Sequence, residues 1–200
     1  MTEGYRTVAG RGYAKFEIKG SEFIGHVAPV RSIEEAEQYI ASRRREYDDA
    51  THNVPCYRIR ADPLRAWSSD DGEPTGSAGD PALNVLTQQE LENVVAVVTR
   101  YYGGTNLGVG GLARAYGRGV KDAIADAGTT TEQPQETFTV IVEYDDSGTV
   151  RGLLESADVE FDAAYEADVT FEVRVAESEA SSLRDRIRSA TSGRAAMDFG

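Results

Sequence analysis

The sequence has one cysteine, Cys56, in 200 residues. A single thiol closes no internal disulfide, which fits a reducing interior and leaves stability to the core. Histidine is nearly absent too: there are two, His26 and His52. His52 and Cys56 are four apart with no second ligand pair near them, and a metal needs three or four ligands in good geometry. No metal or cofactor is expected. His26 reads as a strand histidine with a structural hydrogen bond. No apolar run approaches the roughly 18–20 residues that span a bilayer. The opening Met-Thr-Glu-Gly-Tyr-Arg lacks the basic patch and apolar segment of a signal peptide. A cytoplasmic protein with no membrane partner is expected.

Lysine is the other scarcity. Only Lys15, Lys19 and Lys121 stand among 21 basic residues; the rest are arginine. Against them are 34 acidic residues, for a net charge of −13 and a pI near 4.6. An acidic, lysine-poor surface resembles that of cytosolic proteins from extreme halophiles. Such charge speaks to solubility and non-specific binding rather than fold. It weakens general affinity for nucleic acid, and high salt weakens it further.

What is abundant is glycine, and it is concentrated. Residues 94–127 organise the chain. Val94 to Tyr102 is apolar, β-branched and aromatic, the pattern of a strand buried on both faces. Five glycines follow within nine residues: Gly103, Gly104, Gly108, Gly110 and Gly111. They permit positive φ or close approach to the backbone. Leu112, Tyr116, Val120, Ala123 and Ala127 then recur at helical spacing. Gly111, Ala115 and Gly119 form a row of small residues suited to pressing the helix onto a sheet. A glycine loop feeding a helix N-terminus aims backbone N–H groups at anions. Arg114 and Arg118 sit one and two turns in, with Arg100 and Lys121 also cationic. The glycines serve packing and turns alone on the other reading. No Walker A motif is present. Gly108 to Ala113 fits G-x-G-x-x-A but does not follow the strand directly, as a dinucleotide fold requires.

Before this stretch, Tyr5 to Val30 reads as two strands with a turn at Lys19-Gly20-Ser21. Ser32 and Glu35 form a capping box for a helix with Ile33, Ala36, Ile40 and Tyr47 inward. Strands are expected at Val54–Ile59 and Leu64–Trp67. Ser68 to Leu83 is dense in small and polar residues, an ordered loop of the kind that carries function. Asp80 would cap the next helix, with Pro81 in its first turn. Gly128 to Glu136 has linker composition. The expected domains are 1–128 and 136–200, with linker 129–135. The second reads β-α-β-β-α-β, the ferredoxin-like order.

Asp70, Asp71, Glu73 and Asp80 could hold Mg²⁺, because hard cations take several oxygens from such loops. That motivates one reading, a Mg-dependent hydrolase of a nucleotide or other phosphorylated small molecule. EF-hand spacing is absent, and no nucleophile–base set has recognisable context.

Ser69 to Leu83 (S-D-D-G-E-P-T-G-S-A-G-D-P-A-L) and Val98 to Tyr116 (V-T-R-Y-Y-G-G-T-N-L-G-V-G-G-L-A-R-A-Y) together resemble the signature of the IMPACT family. Ser77 stands where threonine is common, which keeps the hydroxyl. The resemblance covers nearly the whole chain. It implies an α+β protein of two domains. The first would share the β-α-β fold of a ribosomal protein domain and an elongation-factor domain, with a left-handed crossover, an exception to the usual hand. The second would be the small ferredoxin-like domain of prokaryotic members. The resemblance also implies a role linked to translation. Eukaryotic relatives bind an activator of the amino-acid-starvation kinase through an additional N-terminal domain, and this chain is expected to start directly at the core domain. The leading expectation is a non-enzymatic regulatory or accessory protein that contacts RNA or a ribosome-associated partner, with a phosphate-like anion held in one patch. That patch comprises Asp70, Asp71, Glu73, Thr75, Ser77, Arg100, Tyr101, Gly103, Gly104, Gly110, Gly111, Arg114 and Arg118. Arg114 would hold the anion and Asp71 would orient donors.

Overall fold

The computed structural model describes residues 4–199. Two compact units divide the chain, one spanning Tyr5–Glu132 and one beginning at Gln133. Each has its own apolar core.

The first unit contains β1 (Tyr5–Val8), β2 (Gly12–Ile18), β3 (Ser21–Pro29), α1 (Ile33–Glu46), β4 (His52–Ile59), β5 (Arg65–Ser68), α2 (Gly79–Gln88), β6 (Val94–Tyr101), α3 (Gly108–Ala127) and β7 (Thr129–Glu132). Five strands form one sheet in the order β2-β3-β6-β4-β5. All neighbours are antiparallel. β3 and β4 both run against β6, so they are parallel to each other, and α1 carries the chain across between them. β6 is buried on both faces, as its composition predicts. Val94, Ala96 and Val98 pack with Leu86 of α2 and Leu112, Tyr116 and Val120 of α3. Val95 and Val97 face the other way, onto Ala36 and Ile40 of α1. Period-two alternation thus feeds two cores, and full burial of each of these valines brings about 1.5–3 kcal/mol.

Close packing depends on glycine where α3 crosses β3. A Cβ on Gly25 of β3 would lie 2.2 Å from the Gly119 carbonyl oxygen of α3, and one on Gly119 would meet Val98 Cγ1 at 2.9 Å. The expected row of small residues therefore works at Gly119. At Gly111 a Cβ would meet only Leu107 of the preceding loop, at 3.0 Å.

Several expectations need correction. Tyr5 to Val30 holds three strands, not two. Residues 129–132 are not linker: their threonine-rich, β-branched run forms β7, which pairs with β1 from Tyr5↔Glu132 to Val8↔Thr129. Gly128, at φ +70°, ends α3 and turns the chain into that strand. α2 starts at Gly79 with Ala78 as its N-cap, so Asp80 is inside the helix and not its cap. At α1 the capping box is shifted: Ser32 Oγ accepts from the Glu35 N–H at 3.1 Å, but Glu35 Oε2 accepts from Arg31 N–H at 2.8 Å, one residue earlier than in the reciprocal form. Ile33 is exposed, outside the α1 core face.

The second unit contains β8 (Gln135–Val142), α4 (Tyr144–Ser156), β9 (Glu160–Tyr165), β10 (Val169–Ala176), α5 (Glu177–Ala190) and β11 (Ala196–Phe199). The order β11-β8-β10-β9, antiparallel throughout, is that of a ferredoxin-like sheet. Phe138, Val140, Phe171 and Val173 alternate inward against Val150 and Leu154 of α4 and Leu183 and Ile187 of α5. Glu172 and Arg174 alternate outward. Arg194 clamps Asp146 with two bonds of 2.9 and 2.8 Å, and this holds the Asp146 carboxyl below its ordinary range.

Candidate functional site

The first signature loop, 69–78, is built around its carboxylates. Asp70 accepts from the backbone N–H groups of Gly76, Ala78 and Gly79, at 2.8, 3.0 and 2.8 Å. It supplies from eight residues away the cap that Asp80 was expected to give. Burial pushes the Asp70 carboxyl up, but the three donors together hold it below the usual carboxylate range. Asp80 instead accepts from the Ser68 hydroxyl at 3.1 Å. Asp71 sits at φ +46°. Its carboxylate takes Arg44 at 2.9 Å and the Asn53 N–H at 2.7 Å. His52 Nδ1 lies 2.7 Å from the Asp71 carbonyl oxygen, so this nitrogen carries the proton. Ser77 is buried and its hydroxyl donates to the Pro74 carbonyl at 2.6 Å. Thr75 is exposed.

Glu73 is the junction between the two signature stretches. It reaches inward from the loop and is nearly fully buried. One oxygen, Oε1, accepts from Arg100 at the end of β6 at 2.7 Å and from the Tyr116 hydroxyl of α3 at 2.6 Å. Oε2 lies 3.7 Å from His52 Nε2. Burial, then the Glu73 carboxylate, push the Tyr116 hydroxyl far above its ordinary value. Arg100 also donates to Ser21 Oγ at 3.3 Å, and Ser21 Oγ accepts from the Gly103 N–H at 3.1 Å. The guanidinium lies 5.6 Å from the Phe23 ring centroid and 5.3 Å from that of Tyr102. Its Nε is buried without a hydrogen-bond partner among the described residues. Arg100 was expected in the anion-binding patch. It is an interior cation neutralised by Glu73. Gly103 is required where it stands, because a Cβ there would fall 1.9 Å from the Gly20 carbonyl carbon.

Beyond Gly103 the chain opens. Gly104 and Gly108 have φ of +85° and +71°, and a Cβ added at either would meet open space. Leu107 provides no side-chain cap for α3. Gly110 is exposed, and Gly111 is half-buried. Arg114 is exposed and has no hydrogen bond or ion pair with any described residue. Tyr101 is tied down by its hydroxyl, which donates to Asp49 at 2.7 Å and is pushed up to about 12 by that bond, with burial second. Arg118 has other partners: Asp122 at 3.0 Å and the Phe16 ring, 4.2 Å from its guanidinium to the centroid.

The structure thus brings Glu73, Arg100 and Gly103 together through Tyr116 and Ser21, with Asp71 joined through His52. Arg118 takes partners outside both loops, and the Thr75 side chain, exposed on the first loop, makes no hydrogen bond among the described residues. Sequence reasoning passed over His52, Asn53, Arg44, Ser21, Tyr102 and Tyr116 as members of this constellation. Tyr116 offered the one available signal, a hydroxyl on an otherwise apolar helix face, which must find a partner when buried. Cys56 is fully buried, and burial pushes its thiol up, which makes it inert. Among the described residues no group of three or more His, Cys, Asp or Glu side chains is placed to hold a metal ion. No helix among them is long and apolar enough to cross a membrane.

The fold and the two interlocked loops define a two-domain α+β protein of one recognisable class. The family model described as the Impact N-terminal domain matches residues 19–124, and a domain of unknown function, DUF1949, matches residues 140–194. The IMPACT family member YvyE of Bacillus subtilis is 33% identical over 201 residues, covering 100% of this chain and 93% of that protein. The Protein IMPACT of Rattus norvegicus is 36% identical over 93 residues, covering 44% of this chain and 29% of that one. A crystal structure described as that of a hypothetical protein covers 100% of this chain and 98% of its own, at 31% identity and a TM-score of 0.77. The chain belongs to the IMPACT family.

Proposed function

We propose that this protein is a translation-linked regulatory or accessory protein, not an enzyme, and that it binds RNA or a ribosome-associated partner through the open start of α3. Family membership supports the link to translation. One observation carries the choice of face: Arg114 is exposed, makes no hydrogen bond or ion pair with a described residue, and lies between one and two turns into a helix of 20 residues whose N-terminus has no side-chain cap. Free N–H groups, the positive end of the helix and a free guanidinium suit a phosphate-like anion. The Glu73–Arg100–Tyr116 lock supports that face from beneath by fixing where β6 ends and the glycine loop begins. The acid-rich, lysine-poor composition fits work in the cytoplasm at high salt, where few phosphate contacts would survive unless well placed.

The test is a titration of labelled structured RNA, and of ribosomes, at the salt the protein normally meets. Arg114→Ala should weaken one of them about tenfold, as loss of one phosphate contact does. Equal affinity of the wild type and the variant for both would end the proposal. The hydrolase reading finds less support: both oxygens of Asp70 and of Asp71 are engaged by protein donors, and Glu73 spends one oxygen on Arg100 and Tyr116.

A further inference from the structure

Away from both loops, the first unit has a cleft of about 300 Å³ between β1, β7 and the corner where β3 leads into α1. Pairing sets its walls. The β1–β7 register puts Tyr5 opposite Glu132, and the Tyr5 hydroxyl donates to Glu132 Oε2 at 2.8 Å. The Asn93 carbonyl accepts from the Val30 N–H at 2.9 Å and the Thr7 hydroxyl at 3.3 Å. Tyr5, Thr7 and Asn93 are all at least nine-tenths buried, so the floor is polar although water does not reach it freely. The rim carries three charges. Glu132 and Glu35 each use one oxygen, on Tyr5 and on the Arg31 N–H, respectively. Each keeps its second oxygen unpaired among the described residues. The Arg31 guanidinium is exposed and has no partner there.

Two carboxylates with an unpaired oxygen each and one guanidinium, set around a small half-open cleft, suit a guest of both signs. A simple anion would meet two like charges, and a simple amine would leave Arg31 unanswered. The volume lies at the lower end of ligand clefts. We propose that this cleft binds a small zwitterion of free amino-acid size, its ammonium between Glu35 and Glu132 and its carboxylate on Arg31. Such a guest would fasten β7, the last strand of the unit, to the β3–α1 corner. It would stabilise the first unit by mass action.

The test uses the full chain at the lowest salt at which it stays folded. Thermal unfolding is followed by fluorescence of Trp67, the only tryptophan, in the presence of millimolar glycine, L-glutamine or L-arginine. Ethylamine and acetate serve as the two half-ligands. A saturable rise in midpoint is expected with at least one zwitterion, exceeding that with either half-ligand. Arg31→Ala and Glu132→Gln should each weaken the effect at least tenfold; glutamine preserves an acceptor for Tyr5. No rise with any of the three, an equal rise with a half-ligand, or a rise that survives in both variants would overturn the proposal. Arg31 is exposed, so its loss leaves the fold intact and a null result stays interpretable. RNA plays no part in this readout, so its outcome is independent of the reading given for α3.

Discussion

The two signature loops differ in composition, and each does the opposite of what its composition suggests. Residues 69–78 look like a catalytic loop, yet its carboxylates are engaged inside the fold: Asp70 on α2, Asp71 on Arg44 and Asn53, Glu73 on Arg100 and Tyr116. Residues 103–111 look like a mere turn, yet past Gly103 they leave backbone and Arg114 open. Polar density therefore marks structure in the first loop, and small-residue density marks access in the second. A buried carboxylate must be answered by donors, whereas a glycine needs nothing.

The contrast can be broken most forcefully at the lock. Removing one partner of a buried ion pair costs about 3–5 kcal/mol. Glu73→Gln should fall in that range by urea unfolding followed at Trp67, and Glu73→Gln combined with Arg100→Met should cost less than the sum of the two. A single-variant loss under about 1 kcal/mol would mean that the first loop is not held from within. Asp70→Ala comes next, at about 1–2 kcal/mol for a lost cap. Because its folded pKa is depressed, the Asp70 contribution is complete above the unfolded value near 3.8 and disappears as pH falls through the folded one. The difference between the wild type and Asp70→Asn should therefore shrink in acid and stay flat at neutral pH. Gly110→Ala sharpens the second half of the comparison. It should raise stability by up to about 0.5–1 kcal/mol, since only Arg114 approaches a Cβ there, at 3.4 Å. It should also weaken binding at α3; a stabilised variant with undiminished binding would separate the glycines from the ligand. Arg114→Ala is expected to move stability least, within about 0.5 kcal/mol, so any binding defect it shows is local.

Much of the fold was legible because periodicity is local. The double burial of β6, the helical stripe of α3 and the βαββαβ order of the second unit all follow from spacing within a few residues. The rest depended on partners distant in sequence. Asp80 has every local mark of a cap, and nothing nearby announces that Asp70 folds back over eight residues to take that role. The threonines of β7 read as linker because their strand partner, β1, lies more than 120 residues earlier. Arg100 read as part of an anion-binding patch because its engagement depends on Glu73 arriving from another loop. The family signature located both loops, but not which of their residues face inward.

The pairing of β1 with β7 has a consequence for the chain as a polymer. The first and last strands of the first unit lie side by side, with Tyr5 against Glu132, so its two ends are already neighbours. A short bridge there, with the backbone reopened at the exposed 61–63 turn, would give a circular permutant of the same topology. Any shortening that stops before Thr129 would strip β1 of its partner and unravel both ends at once.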